Sequence, residues 1–258
     1  MHTDRHFPAT LVKLPEGCSD RRASFYLAAE EWVAEKFVEC NDASPLSYLF
    51  TWQLGPTVVI GRNQVLEQEV DVDFCHTHNI YMVRRHSGGG AIYADMGNIM
   101  ISLITDAGSV ESLFEEYSNA VASLLQSLGA PAVVSGRNDI MLSWSNGSNG
   151  SDGLNSSNGK VCGNAFYHRT KSNIVHGTML YDTDYDLMLG ALRPPMEKLK
   201  RHGVESVRQR TTLLKDCLSI GIGQLRSHIE HTLTSSVVSL SAHDVQQIEK
   251  IEQNYYNL

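Results

Sequence analysis

The chain has 258 residues, of which 21 are Lys or Arg and 29 are Asp or Glu, giving a formal charge of −8. With 42% hydrophobic and 19% charged residues it has the composition of a globular protein, and its acidity excludes bulk binding to nucleic acid or an anionic membrane, local basic patches aside. The length allows one large domain or two modest ones, with a core that needs no disulfide staples.

In chain order, residues 22–39 read as an amphipathic helix, with Leu27, Trp32 and Phe37 sharing a face among Glu30, Glu31, Glu35 and Lys36. Short apolar runs at 48–52, 57–60 and 80–83, bounded by Pro, Gly and Asn, read as strands. Two more, 91–93 and 99–104, flank the turn Asp95-Met96-Gly97-Asn98. Residues 110–128 are helical by the spacing of Leu113, Tyr117, Val121, Leu124 and Leu128, and Gly129 stops them. Strands resume at 132–134, 140–144, 161–166 and 178–181, and the last third reads as helical again, including 244–253. Strands in runs with helices before and after predict an α+β fold with mixed or antiparallel sheets. Residues 145–159, SNGSNGSDGLNSSNG, can bury nothing and are expected to form a mobile surface loop.

Five cysteines, Cys18, Cys40, Cys75, Cys162 and Cys217, lack CxxC spacing. They fit a reducing, cytoplasmic compartment rather than a disulfide framework or zinc site. No apolar run approaches the ~20 residues that span a bilayer, and the N-terminus lacks the apolar core of a secretory signal. Gly153 and Gly159-Lys160 miss the phosphate-loop spacing, and no G-x-G-x-x-G or G-x-S-x-G is present. Asp71, Asp73, Cys75, His76 and His78 cluster but match no zinc motif and read as a polar surface segment.

The chemistry concentrates in Arg84-Arg85-His86-Ser87-Gly88-Gly89-Gly90-Ala91. Three glycines let the backbone approach a ligand closely, exposed N–H groups can meet anionic oxygens, and the arginines add fixed charge. Lys160-Val161-Cys162-Gly163-Asn164-Ala165 places a cation beside glycine at a strand edge, and His176-Gly177-Thr178 offers another close backbone approach.

These segments occur in the order of a known family. The chain resembles the lipoate–protein ligase A family of the biotin and lipoate ligase superfamily. Gly61-Arg62-Asn63-Gln64 resembles its G-R-x-Q segment, and Arg84 to Ala91 with Tyr93, Asp95, Gly97 and Asn98 its R-R-x-S-G-G-G-A-x-Y-x-D-x-G-N signature. Asn138-Asp139-Ile140, Lys160 to Ala165, His176 to Leu180 and Lys198 to Arg208 resemble its later motifs. The resemblance implies two steps in one site: lipoate attacks the α-phosphate of ATP to give lipoyl-AMP, and a lysine of a lipoyl-carrier domain then takes the acyl group. It implies Lys160 as the central cation, with Arg85, Ser87, Gly88, Gly89, Gly90, Ala91, Tyr93, Asn98, Asn138, Asp139, Gly163, Asn164, His176, Gly177 and Thr178 binding substrate and nucleotide. Asp139 is the expected Mg²⁺ ligand, and residues near Val83 and His86 are expected to line an apolar tunnel. The implied carriers are a dehydrogenase E2 domain or the glycine-cleavage H protein, with no nucleic acid or membrane partner.

Ala94 and Cys162 stand where family members often carry His and Ser. Cys162 opens a rival reading, an ATP-independent lipoyl or octanoyl transferase with a cysteine nucleophile; a lipoyl-AMP-binding subunit is another. Residues 1–240 are expected to form the catalytic domain and 241–258 a helical tail, with the family's accessory domain absent or supplied by a separate protein. Lys198, Lys200, Arg201, Arg208 and Arg210 offer a basic docking patch.

Overall fold

The computed structural model describes residues 6–18, 20–40, 46–136, 138–144, 158–193 and 211–255. The loop expected at 145–159, apart from its last two residues, and the basic patch at 198–210 lie outside them.

Two sheets carry the fold. The larger has eight strands in the order β11-β1-β2-β6-β10-β9-β8-β7, and the smaller has three in the order β4-β3-β5. In the large sheet these are β1 (Ala9–Lys13), β2 (Ser47–Trp52), β6 (Asn98–Asp106), β7 (Ala132–Ser135), β8 (Asp139–Leu142), β9 (Gly159–His168), β10 (Ser172–Leu180) and β11 (Thr234–Ser239). In the small sheet β3 (Thr57–Ile60) pairs parallel with β4 (Tyr81–Arg84) and antiparallel with β5 (Ile92–Ala94). The helices are α1 (Ala23–Val33), α2 (Leu66–Glu69), α3 (Val72–Thr77), α4 (Val110–Ser127), α5 (Tyr185–Ala191), α6 (Ile222–Leu233) and α7 (Ala242–Glu252).

Strand alternation sorts the core into layers. Ile99, Ile101 and Leu103 of β6 and Val175 and Met179 of β10 face Leu113, Tyr117 and Val121 of α4 and Leu225 and Ile229 of α6. Met100 and Ile104 of β6 and Ile174 of β10 face the opposite way, toward Phe25, Leu27 and Ala28 of α1 and Val59 and Val83 of the small sheet. Helix α1 is thus sandwiched between the sheets and is buried nearly all round. A π-helical turn, Ala34–Glu39, extends it to the length that its periodicity predicts.

Two expectations require correction. The last third is not all helical: Thr234–Ser239 forms β11, parallel to β1. It escapes a pattern search because TSSVVS is a largely exposed edge strand with little apolar alternation. Strand β10 begins at Ser172 rather than 178, because polar Asn173 and His176 are buried within it. The described residues of 241–258 lie against the body of the domain: α7 packs its Val245 and Ile248 into the same core as α1. Asp244 there accepts from Trp32 Nε1 at 2.9 Å and from Lys36 Nζ at 2.6 Å.

Candidate functional site

A cavity of about 400 Å³ opens between α1, the glycine segment and strands β8, β9 and β10. Leu27, Trp52, Val59, Ile92 and Met100 give it apolar walls, and Arg85, Asn138, Asp139, Lys160, Asn164 and His176 bring polar atoms to it. Apolar walls with a few convergent polar groups are the usual form of a small-molecule site, and here the polar share is large.

The glycine segment is held open from below. Arg85 is almost fully buried and spends its guanidinium on backbone carbonyls. Nε and Nη2 donate to Gly88 O at 3.1 and 2.8 Å, Nη2 to Gly90 O at 2.7 Å, and Nη1 to Val59 O at 3.1 Å. Because peptides are trans and planar, the N–H groups of Gly89 and Ala91 point away from that guanidinium. Neither donates a hydrogen bond among the described residues, so the cavity rim carries two unspent backbone donors fit for an anion. Gly89 takes φ +93°, a conformation that glycine adopts without strain. Burial lowers the Arg85 pKa to about 10, against the favourable field of Glu30, so the clamp stays cationic at neutral pH.

Lys160 lies on the opposite wall. Its Nζ is 2.7 Å from Asp139 Oδ1, and both side chains are about one-third exposed, at 32% and 34%. Such a pair is worth only about 0–1 kcal/mol, so a phosphate or carboxylate can take the ammonium from Asp139 at small cost. Asn138 and Asn164 lock the two strands beside this pair: Asn138 Nδ2 donates to Asn164 O and Asn164 Nδ2 to Asn138 O, each at 3.0 Å.

The facing of Lys160 depends on an irregularity. Against β8, Ile140 pairs with Cys162 but Met141 pairs with Lys160, so Val161 is an extra residue, a β-bulge. The bulge shifts the alternation by one residue. Lys160, Gly163 and Ala165 line the cavity, whereas Cys162 faces α4 in the core with no exposed surface. Burial raises the Cys162 thiol to about 12, despite the opposing Lys160 charge. The reading of Cys162 as a nucleophile is therefore corrected: its sulfur is protonated, enclosed and on the wrong face.

Behind the cavity runs a buried chain of hydrogen bonds. Ser87 Oγ is 2.6 Å from His176 Nε2, and His176 Nδ1 is 2.9 Å from Glu30 Oε2. Ser102 donates to the other Glu30 oxygen and accepts from Trp52 Nε1 at 3.1 Å. Glu30 is 2% exposed. Its place in the site was not foreseen, though a carboxylate on a helix flanked by Leu27, Ala28, Ala29 and Val33 must be buried with partners.

Of the expected site residues, Arg85, Gly89, Gly90, Ala91, Asn138, Asp139, Lys160, Gly163, Asn164, His176 and Thr178 meet at this cavity. Gly88 lines an adjoining recess of about 560 Å³ together with Phe114 and Phe166. Ser87, Tyr93, Asn98 and Gly177 lie behind the walls. Tyr93 packs on the far side of the small sheet, and Asn98 braces the 95–98 turn and Thr183. Gly177 admits Asn164 and Tyr117 closely. Val83 and His86 do not form the apolar wall. Val83 is core, and His86 Nδ1 meets Glu31 at 2.7 Å while its ring stacks on Tyr255.

No group of three or more His, Cys, Asp or Glu that could hold a metal occurs among the described residues. Asp139 is the one carboxylate lining the cavity among the described residues. That donor set fits a magnesium ion only in the manner usual for that ion, one carboxylate with waters and phosphate oxygens completing the shell. No helix among the described residues is long and apolar enough to cross a membrane.

The chain is similar in sequence and in fold to known proteins. Lipoate–protein ligase 1 of Staphylococcus aureus is 31% identical over 237 residues, covering 89% of this chain and 66% of that protein. The chain thus spans just under two thirds of that relative's length. The fold is shared with a bipartite lipoate protein ligase of Thermoplasma acidophilum, described with its E2 lipoyl domain, at a TM-score of 0.75 and 24% identity, covering 96% of this chain and 93% of that one. It is also shared with lipoate-protein ligase A bound with ATP, at a TM-score of 0.72 and 23% identity, covering 95% and 94%. Residues 22–234, which include every wall of the cavity, match the lipoyl protein ligase A/B catalytic domain, and the chain belongs to that family.

Proposed function

We infer that this domain activates the carboxyl group of lipoate with ATP and passes the lipoyl group to a lysine of a lipoyl-carrier domain. The observation that carries the reading is the opposition, across one cavity with apolar walls and a polar rim, of the Lys160 ammonium and the unspent N–H groups of Gly89 and Ala91. The apolar walls suit an acyl chain and dithiolane, and the polar rim suits two anions held together.

In the first step a lipoate oxygen attacks the α-phosphorus and pyrophosphate leaves, forming lipoyl-AMP. In the second, the carrier amine attacks the acyl carbon, AMP leaves, and an amide remains. No side-chain nucleophile is required. Lys160 bridges the carboxylate and the α-phosphate, offsetting their repulsion, and the Gly89 and Ala91 donors stabilise charge on the transferring oxygens. The recess beyond Gly88 takes part of the nucleotide. Asp139, released from Lys160, would hold Mg²⁺ with the phosphates, and the ion supplies charge neutralisation when bound.

The bipartite archaeal ligase and its E2 lipoyl domain support a lipoyl domain as the partner and an accessory polypeptide as part of the system; the glycine-cleavage H protein is the alternative carrier in this reading. Five free cysteines support a cytoplasmic setting. The test is lipoate-dependent ATP–pyrophosphate exchange followed by transfer to a purified lipoyl domain. Lys160→Ala is expected to abolish exchange in a folded protein. Exchange at near wild-type rate in that variant removes Lys160 from the mechanism, and no exchange or transfer by the wild type with its accessory protein overturns the reading.

A further inference from the structure

Glu30 does not itself line the cavity and makes no hydrogen bond to the glycine backbone, yet it is the hub of the buried hydrogen-bond chain. Its position is set twice. Ser102 and His176 are directly paired residues on β6 and β10, and both side chains reach the same carboxylate, one oxygen each.

The chemistry of a carboxylate fixes the direction of this chain. An ionised carboxylate only accepts, so His176 Nδ1 must carry its proton toward Glu30. In the neutral ring Nε2 is then an acceptor, and the Ser87 hydroxyl donates to it. Ser87 is the first residue of the glycine segment, and its carbonyl is held by the Arg62 N–H at 2.9 Å. Backbone and side chain of Ser87 are thus both pinned just where the loop departs toward Gly89. Glu30 is also the countercharge to buried Arg85, which grips the loop at Gly88 and Gly90.

We propose that Glu30 is a positioning residue for the ligation reaction, acting through His176 on Ser87 to fix the glycine segment in its anion-binding conformation. The proposal rests on the adenylating function above and adds a residue to it. A neutral amide at position 30 can either donate to or accept from Nδ1. Glu30→Gln therefore frees the imidazole to adopt the other tautomer and loosens Ser87 without removing volume.

The experiment has two readouts. Nitrogen-15 NMR of histidine-labelled protein, with the His176 signals identified by their loss in His176→Asn, reads the tautomer. The wild type is expected to show a protonated Nδ1, and Glu30→Gln a shift toward protonated Nε2. Exchange kinetics are expected to show kcat lowered by about 10–100-fold in Glu30→Gln, with KM for ATP nearly unchanged. In a His176→Asn background the same substitution is expected to cost little more. A wild-type His176 with protonated Nε2, which can be measured even if Glu30→Gln fails to fold, overturns the proposal. So does a full additional loss in the His176→Asn background. A wild type lacking exchange altogether overturns the adenylation reading instead, and leaves the tautomer result standing.

Discussion

The ammonium of Lys160 occupies the space that a side chain at position 163 would fill: a Cβ on Gly163 would lie 2.6 Å from both Cε and Nζ of Lys160. The obstacle is the far end of a flexible side chain, so Gly163→Ala is expected to leave the fold intact while displacing the cation. A shift of about 1 Å in a catalytic group can cost about 100-fold. We expect thermal unfolding near wild type and lipoate-dependent exchange reduced by about 10–100-fold; unchanged exchange would separate the position of Lys160 from the chemistry.

Cys162→Ser should behave as a core substitution. The thiol lies 3.4 Å from Asn164 Oδ1, and a serine hydroxyl can donate to the same oxygen. The expected cost is about 1–2 kcal/mol of stability, with exchange within about threefold of wild type. Incubation with an octanoyl- or lipoyl-carrier should give no thioester adduct by intact mass, and an adduct lost in the serine variant would revive the transferase reading.

Arg85→Lys keeps the charge but loses the fork. A single ammonium cannot span the carbonyls of Val59, Gly88 and Gly90 that the guanidinium now satisfies. Each buried carbonyl left unpaired costs about 1–3 kcal/mol. Lowered thermal stability together with at least a tenfold loss of exchange is expected, and a stable, active lysine variant would show that the clamp is dispensable.

Acidification should loosen α7. Burial alone would raise the Asp244 carboxyl, but hydrogen bonds from Lys36, Ser241 and Trp32 outweigh it and hold the group well below the usual carboxylate range. A carboxylate depressed on folding contributes stability that is fully present above its unfolded value of ~4 and is lost as pH falls through the folded value. Asp244→Asn should lower stability by about 1–3 kcal/mol at neutral pH, and its difference from wild type should shrink below about pH 4. A pH-independent difference would assign the effect to packing.

Much of the site was legible because its chemistry is local. Ser87-Gly88-Gly89-Gly90 and Arg85 are adjacent in sequence, and glycines clustered beside arginine already describe an anion cradle. What was not legible depends on pairing between distant segments. The bulge at Val161 exists only against Ile140 and Met141 of another strand, so the facing of Cys162 could not be read from β9 alone. Glu30 looks like one of several surface charges on its helix until α1 is placed between two sheets. Strand β11 pairs at the sheet edge, where exposed serines and threonines give no alternation to detect.

The bulge at Val161 also works as a shift of reading frame written into a strand. On one side of it odd and even positions mean one thing, on the other the reverse. A lysine and a thiol two residues apart are thereby assigned to different solvents, one to water and substrate, the other to the hydrocarbon interior. Deleting Val161 would preserve this assignment, because the residues on either side already follow the two frames that the deletion would fuse.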